Sequence, residues 1–227
     1  MDPKRNKVLF QKKGDDVREM ASLTKIMTAI VTIDLCRELN LNMHKTWFKV
    51  SKVAAETIGT SALLVENQRV TIHDLLYGLM LPSGNDAAMT LAENFSSLLL
   101  NTKMKPGQKF SQISDEKAKT VIATTGEKSI KLFVKEMNKT AKRLHLRNTN
   151  FANPHGLANK ANHSNASDLA VLSSNAMKLP LFRKIVNTKR YDAVTYATTK
   201  RLERMFPDQK LGEPLVGSEV PFKSELG

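Results

Sequence analysis

Apolar residues return every three or four positions along much of the chain, which is the spacing of an amphipathic helix. The most regular example follows Ser129, which we expect to cap a helix. Its apolar positions are Ile130, Phe133, Val134, Met137, Ala141 and Leu144. Thr71, followed by Asp74, has the pattern of a capping box and predicts a helix over residues 72–80. Further helices are predicted over residues 21–39, 86–99 and 181–188, within residues 51–60, and after a cap at Ser167-Asp168.

Patterns typical of strands are scarcer. Residues 7–13 predict a short strand that ends at the turn signal Gly14-Asp15-Asp16, and residues 191–199 predict another. Residues 40–50 are interpreted as a connection. These few strands, set among several helices, indicate a mostly helical core.

Two stretches have no regular pattern. Residues 101–128 are polar and rich in lysine, and we interpret them as an insertion. From residue 200 to residue 227 no periodicity persists and prolines recur, which predicts an irregular tail. The expected organisation is therefore one domain over residues 1–199, interrupted by the insertion, followed by the tail over residues 200–227.

The chain has 227 residues, of which 41% are hydrophobic, so it can form one large domain or two small ones. Its formal net charge of +13 suits an anionic partner, but the basic residues are scattered, and we interpret them first as a solvated surface. The single cysteine, Cys36, excludes an internal disulfide and is expected to be buried. No stretch reaches the roughly 20 apolar residues of a membrane span.

Ser22 and Lys25 stand three residues apart at the start of the first predicted helix. Side chains at positions i and i+3 share a helix face, so the two groups can touch. A partly desolvated lysine can lose its proton and act as a base. The first turn of a helix also stabilises a developing negative charge. The pair is therefore a candidate nucleophile with its base. Taken alone, the spacing also fits a helix start with a capping serine and a solvated lysine.

A second candidate site is the loop Leu81-Pro82-Ser83-Gly84-Asn85, where proline and glycine separate two helices. Such a loop on a helical scaffold can aim Ser83 and Asn85 into a cleft, although the same residues also favour a plain turn. The five histidines show no metal-ligand spacing with cysteines or carboxylates, so we expect neither a metal nor another cofactor.

In this order, the two motifs resemble those of the serine-type D-alanyl-D-alanine carboxypeptidases, low-molecular-mass penicillin-binding proteins of the β-lactamase/transpeptidase-like superfamily. The first is Ala21-Ser22-Leu23-Thr24-Lys25-Ile26-Met27-Thr28-Ala29 and the second Leu81-Pro82-Ser83-Gly84-Asn85-Asp86-Ala87-Ala88. Further landmarks are Val8-Leu9-Phe10, Phe133-Val134-Lys135-Glu136-Met137-Asn138, Asn148-Thr149-Asn150-Phe151-Ala152-Asn153-Pro154-His155-Gly156-Leu157 and His163-Ser164-Asn165-Ala166-Ser167-Asp168-Leu169-Ala170. The resemblance extends over about residues 7–196, except residues 101–128, and implies an α/β fold with a helical region against an antiparallel sheet.

The resemblance also implies a role for each matching residue. Ser22 would attack the carbonyl of the penultimate D-Ala and carry the acyl group, with Lys25 as its general base. Ser83 would relay a proton to the leaving amine, and Asn85 would hydrogen-bond the substrate's peptide amide. The Ser22 N–H would form half of an oxyanion hole. The implied partners are peptides ending in D-Ala-D-Ala and β-lactams.

The chain departs from the family at its third element, Lys-Thr-Gly on a strand that lines the cleft. That string is absent, and the nearest one, Lys210-Leu211-Gly212, lacks the hydroxyl residue and lies among prolines. The later hairpin of the sheet is also expected to be absent, together with the strand before residue 7. We therefore predict a helical core with much of the sheet missing, and low thermal stability.

Several hypotheses stay open at this point. Under the first hypothesis the chain is an active carboxypeptidase. Under the second it is a catalytically impaired and truncated remnant of that family, and under the third it is a related β-lactamase or esterase. A basic helical protein that binds nucleic acid is the alternative outside this fold, although we do not expect nucleic acid as a partner. The family acts outside the cytoplasm, whereas the polar N-terminus shows no apolar leader, so the compartment is left unassigned.

Overall fold

The helix that follows Ser22 runs through the centre of the fold. In the computed structural model, which describes residues 8–103, 130–198 and 219–226, a 3-10 turn over Ala21–Leu23 leads into α1 (Thr24–Glu38). Nearly every side of α1 is buried, which places it between other elements rather than on the surface. Cys36 lies on this helix and is 2% exposed, which confirms the predicted buried thiol.

Other helices lie within the described ranges, and most of them pack against α1. They are α2 (Lys52–Ala55), α3 (Ile72–Met80), α4 (Asn85–Lys103), α5 (Lys131–Arg143), α6 (Ala166–Ala176) and α7 (Pro180–Val186). The apolar faces of these helices meet in one core that contains Met27, Leu76, Phe95 and Phe133.

Two helix caps test the sequence reasoning. The cap of α3 is confirmed, because Thr71 Oγ1 accepts a 3.0 Å hydrogen bond from the Asp74 N–H. The predicted cap of α6 is wrong: Asn165 accepts from the Asp168 N–H at 2.8 Å, so the helix begins before Ser167. Ser129 lies outside the described residues.

The strands of the described residues form two antiparallel sheets. A small sheet pairs β1 (Arg18–Glu19) with β4 (His163–Ser164), beside the start of α1. The larger sheet has the order β2-β3-β5-β6. Its strands are β2 (Trp47–Lys49), β3 (Arg69–Thr71), β5 (Tyr191–Thr198) and β6 (Glu219–Leu226). The fold is therefore α/β, with helices against an antiparallel sheet, as expected.

Tyr191 fastens the start of β5 to α3. Its hydroxyl donates a 2.5 Å hydrogen bond to Asp74 Oδ1, and its ring stacks on Tyr77 at a centroid distance of 3.6 Å. The sheet is thus attached to the helix whose other end leads into the Ser83-Gly84-Asn85 loop.

The strand predicted over residues 7–13 is wrong for residues 8–13, and Lys7 lies outside the described residues. Residues 8–11 have no regular structure and residues 12–13 form a bend, and Val8, Leu9 and Phe10 are 54%, 71% and 81% exposed. No strand of the described ranges pairs with them, and an unpaired segment leaves its backbone groups to water.

The structure contains more sheet than the sequence predicts. β2 lies inside the predicted connection over residues 40–50, and β6 lies inside the predicted irregular tail, where it pairs with β5 from Tyr191–Leu226 to Thr198–Glu219. The prediction of an irregular tail is therefore wrong for residues 219–226. Pro221 has no N–H to donate. It is tolerated because β6 is an edge strand of the described sheet, with a neighbouring strand on one side only. The string Lys210-Leu211-Gly212 and most of the predicted insertion lie outside the described residues.

Candidate active site

Lys25 is a buried charged residue whose side chain contacts Ser22. Its side chain is 2% exposed, and its Nζ donates to Ser22 Oγ at 3.0 Å and to the His155 carbonyl at 2.7 Å. Ser22 itself is exposed to solvent. The contact predicted from the i, i+3 spacing is present, and it joins the buried amine of Lys25 to the hydroxyl of the solvent-exposed Ser22.

Burial changes the chemistry of Lys25. It lowers the pKa of the ammonium group from 10.5 to about 8, while the negative charge of Asp86 opposes part of this fall. Roughly one molecule in ten therefore holds a neutral amine at pH 7. Such an amine can accept a proton from the hydroxyl that it touches.

The loop over residues 153–157 fixes α1 from the opposite side of the site. Its Pro154 carbonyl accepts a 2.6 Å hydrogen bond from Thr28, and its His155 carbonyl accepts the one from Lys25. These contacts join positions that are 126 and 130 residues apart. The loop therefore sets the orientation of Lys25 through backbone carbonyls, which no sequence spacing reveals.

Gly156 lets this loop approach the nucleophile. Its φ is +93°, and a Cβ at this position would lie 1.9 Å from the Ala21 carbonyl oxygen. Ala21 has a φ of +46°, so the backbone directly before Ser22 is in the left-handed region. The close contact and the strained turn together hold the exposed Ser22 in place.

The ring of His155 supports the loop. Its Nδ1 accepts a 3.0 Å hydrogen bond from the Leu157 N–H. Burial, helped by the nearby Lys25 charge, lowers the pKa of this imidazole to about 4. The ring is therefore neutral at pH 7, which suits an acceptor nitrogen.

The Ser83-Gly84-Asn85 loop lies between α3 and α4. Ser83 has a φ of +58°, and its carbonyl accepts a 2.6 Å hydrogen bond from Thr60. Asn85 is 3% exposed, and its Nδ2 donates to the Ile58 carbonyl at 2.7 Å, which leaves Oδ1 as its acceptor. Within the described part of the chain, no hydrogen bond joins the Ser83 hydroxyl to Ser22 or Lys25.

Asp86 is a residue of the site that sequence reasoning missed. It is fully buried in the first turn of α4, and it accepts hydrogen bonds from the Ser61 hydroxyl and from the N–H groups of Ala62, Leu64 and Ala87. Its charge acts on Lys25 across the site. The signal in the sequence was an acidic residue directly after Asn85 at a helix start, where a carboxylate is favoured.

β6 carries a second missed feature. It contains the string Lys223-Ser224-Glu225, in which a hydroxyl residue follows a lysine on a strand and glutamate stands where the family motif has glycine. The backbones of Lys223 and Ser224 pair with Val194 and Ala193 of β5. This string was overlooked because the tail was interpreted as irregular.

The described residues lack two further features. No group of three or more His, Cys, Asp or Glu side chains there is arranged to hold a metal ion. None of the helices there has both the length and the apolar composition of a membrane-spanning segment.

Comparison with known proteins agrees with the geometry. A family model described as D-alanyl-D-alanine carboxypeptidase matches residues 1–98 and 110–211. The match stops at residue 98 and resumes at residue 110, inside the predicted insertion over residues 101–128, which stays a prediction.

Individual relatives carry the same description. A D-alanyl-D-alanine carboxypeptidase of Streptomyces sp. (strain K15) is 34% identical over 198 residues, which cover 87% of this chain and 59% of the relative. D-alanyl-D-alanine carboxypeptidase DacF of Bacillus subtilis (strain 168) is 30% identical over 182 residues, or 80% of this chain and 39% of the relative. The chain thus spans less than two thirds of these relatives.

A solved structure gives the same result for the fold. The crystal structure of the Streptomyces K15 DD-transpeptidase superimposes with a TM-score of 0.68 at 31% identity. The superposition covers 100% of this chain and 70% of that one.

Proposed function

The chain belongs to the D-alanyl-D-alanine carboxypeptidase family, and from this premise we propose that it is a serine-type carboxypeptidase. Its substrates are peptidoglycan-type peptides that end in D-Ala-D-Ala, and β-lactams react at the same serine. The observation that carries the proposal is the buried Lys25 amine, 3.0 Å from the exposed Ser22 hydroxyl.

Acylation starts with the neutral Lys25 amine. It takes the proton of Ser22 while Ser22 Oγ bonds to the carbonyl carbon of the penultimate D-Ala. The carbonyl oxygen gains the negative charge, and the Ser22 N–H at the start of the helical segment can stabilise it. The reaction needs Lys25 without its proton, which the pKa of about 8 makes accessible near neutral pH.

Collapse of this intermediate breaks the bond to the terminal D-Ala. The leaving nitrogen takes a proton that Lys25 supplies through the Ser83 hydroxyl, and Asn85 holds the amide of the substrate. Because Asn85 Nδ2 is bound to the Ile58 carbonyl, the group free to accept from a substrate N–H is Oδ1. Water then attacks the ester on Ser22, which releases the shortened peptide and restores the hydroxyl.

The reaction also uses a second oxyanion donor and a group that binds the substrate carboxylate. In the sequence of β6, Lys223 is followed by the hydroxyl residue Ser224, in the order of the family's third motif, and these two residues are our candidates for this role. Losing one oxyanion donor costs about 10²–10³ in rate, so this role has a large effect on activity.

A second candidate is a catalytically impaired member of the family that binds its peptide without turning it over. Glu225 in place of glycine favours it, as does the lack of a hydrogen bond between the Ser83 hydroxyl and Lys25 within the described ranges. A β-lactamase or esterase of the same fold is ranked lower, because the named relatives are carboxypeptidases.

The test is the intact mass of the protein after incubation with benzylpenicillin, followed by an assay of free D-Ala from a Lys-D-Ala-D-Ala peptide. We expect a mass gain of one penicilloyl group that Ser22→Ala abolishes, together with released D-Ala. A mass gain without D-Ala supports the impaired member. A folded chain that forms no adduct refutes the proposal.

A further inference from the structure

The segment over residues 58–64, which we term the rim segment, is bound to the Ser83-Gly84-Asn85 loop by hydrogen bonds. Asn85 donates from Nδ2 to the Ile58 carbonyl and from its backbone N–H to the Thr60 carbonyl, both at 2.7 Å. Thr60 returns a 2.6 Å hydrogen bond from its hydroxyl to the Ser83 carbonyl. The segment is therefore held against the loop that carries two of the candidate site residues.

The second half of the rim segment is built around the buried Asp86 carboxylate. The Ser61 hydroxyl donates to it at 2.7 Å, and the N–H groups of Ala62 and Leu64 donate to it at 2.9 and 3.0 Å. The N–H of Leu63 donates to Ser61 Oγ at 2.8 Å. Every backbone N–H from residue 62 to residue 64 thus has a partner in this turn, which fixes its conformation.

Leu63, in the middle of this turn, is unfavourable in two ways: in its backbone conformation and in the exposure of its side chain. Its φ is +58°, in the left-handed region that disfavours leucine, and its side chain is 69% exposed. Ile58, the first residue of the segment, is 74% exposed. Strain of this kind persists where the surroundings impose it, and it concentrates where ligands bind.

The rim segment also reaches the loop that contacts the nucleophile. A Cβ on Gly59 would lie 2.7 Å from Asn85 Nδ2 and 3.8 Å from Leu157 Cδ2. Leu157 follows Gly156, which packs on the Ala21 carbonyl beside Ser22. The two exposed apolar side chains therefore belong to a segment that borders the site on the side of Asn85.

We infer that Leu63, with Ile58, is a specificity-determining residue that contacts an apolar group on the acyl side of the substrate. This inference rests on the proposed function, in which Asn85 holds an amide of the substrate, and it takes this amide to be the one on the acyl side. The substituent beyond that amide then meets the segment bound to Asn85. The recognised chemistry is an aliphatic or aromatic side chain on the acyl donor. Contact with one such group accounts for about a tenfold difference in reactivity between substrates.

The test compares two β-lactams. Benzylpenicillin carries an apolar benzyl group beyond its amide, whereas 6-acetamidopenicillanic acid keeps the amide and has only a methyl group beyond it. The second-order rate constant of Ser22 acylation by each is measured by intact mass for the parent chain and for Leu63→Asn. We expect the ratio of the benzylpenicillin rate constant to the 6-acetamidopenicillanic acid rate constant to fall about tenfold in the variant, with the second value nearly unchanged.

Folding does not confuse this test. Asparagine accepts a positive φ more readily than leucine, so the melting temperature of Leu63→Asn is expected to stay equal or to rise. Val186→Asn, at an apolar residue that is 42% exposed on α7, is the matched control and should leave the ratio unchanged. Ile58→Ser should lower the ratio in the same direction as Leu63→Asn.

Three outcomes are distinguishable. A selective loss with benzylpenicillin supports the inference. Equal rates for parent and Leu63→Asn, or an equal fall with both β-lactams, refute it and leave the proposed function intact. Failure of both compounds to acylate the folded parent chain refutes the proposed function and this inference with it.

Discussion

Lys25 on α1 and Glu93 on α4 are both ionisable side chains with almost no exposed surface, at 2% and 0%. Lys25 donates to two oxygens and lies within the field of Asp86. Glu93 has no hydrogen-bond partner for either carboxyl oxygen within the described ranges. Burial lowers the pKa of the first and raises the pKa of the second, so each is pushed toward its neutral form.

The difference lies in what each neutral group can reach. The Lys25 amine faces the hydroxyl of an exposed serine, so its neutral form is a usable base. Glu93 faces the interior, where the nearby Ser51 hydroxyl offsets part of the pKa rise without completing a hydrogen bond. A perturbed pKa therefore does not identify a functional residue by itself, because contact with a reactive group is also needed.

Lys25→Met tests this comparison with the largest expected effect. The variant keeps the length of the side chain but removes the base, so we expect Ser22 acylation by benzylpenicillin to fall by about 10³-fold. The fall of the Lys25 pKa from 10.5 to about 8 corresponds to about 3 kcal/mol of stability lost at neutral pH. The variant regains this stability but loses the two hydrogen bonds of Lys25, which offsets part of the gain. Its free energy of unfolding should therefore exceed that of the parent by about 1 kcal/mol.

The measurements are the acylation rate by intact mass and the free energy of unfolding from urea titration at pH 7. Lys139→Met, on the exposed face of α5, is the control and should change neither quantity appreciably. An acylation rate within tenfold of the parent value would show that Lys25 is not the base.

Gly156→Ala disturbs the same region through the backbone. The added Cβ would lie 1.9 Å from the Ala21 carbonyl oxygen, and alanine is disfavoured at a φ of +93°. The loop must then withdraw from Ser22 and take the His155 carbonyl away from Lys25. We expect acylation to fall by about 10²-fold, because small displacements in an active site have effects of this size.

Gly14→Ala is the matched control for this steric argument. Its Cβ would meet only the flexible side chain of Gln11, which can move away, and its φ is not in the left-handed region. Equal acylation rates for the two alanine variants would contradict the proposed role of the close contact at Gly156.

The sequence predicted what depends on local spacing. The helices, the cap at Thr71 and the contact between Ser22 and Lys25 follow from residues three or four positions apart. The His155 carbonyl, which binds Lys25 from 130 positions away, could not be inferred in this way. The partner of a buried amine depends on how distant segments meet, and no periodicity encodes that.

The strands of the sheet also depend on contacts between distant segments, which the sequence pattern does not predict. Residues 8–13 have the composition of a strand but find no partner strand within the described ranges, whereas β6 contains a proline and pairs along its full length with β5. Strand formation depends on the neighbour more than on the segment itself. Asp86 was also overlooked, because its partners lie in the rim segment more than 20 residues earlier.

The pH dependence of acylation sharpens the assignment of Lys25. Since the reacting form is the neutral amine, the rate constant should rise about tenfold for each pH unit below about pH 7 and level off above pH 8. Stability has the matching sign: a pKa lowered in the folded state makes the unfolded chain bind more protons between about pH 8 and 10.5. The contribution of Lys25 to stability therefore rises with pH in that window.

Rates of adduct formation from pH 5.5 to 9.5, in buffers of constant ionic strength, test the first statement. The inflection near pH 8 should be absent from the residual rate of Lys25→Met. An inflection that survives in this variant would assign the titration to another group.

Glu93→Gln has the smallest expected effect and addresses the other half of the comparison. The raised pKa means that the unfolded chain loses this proton at a lower pH than the folded chain does. Stability from this group is therefore fully present below about pH 4.5 and declines as the pH rises. Glutamine imitates the protonated carboxyl, so parent and variant should be equally stable near pH 4.5, and the variant should be the more stable of the two at pH 8. Urea titrations at both pH values measure this difference, with the partly exposed Glu136→Gln, whose partner is Lys139, as control. A difference that stayed constant with pH would show that Glu93 is ionised alike in both states, and a loss of acylation in the folded variant would place Glu93 in the site after all.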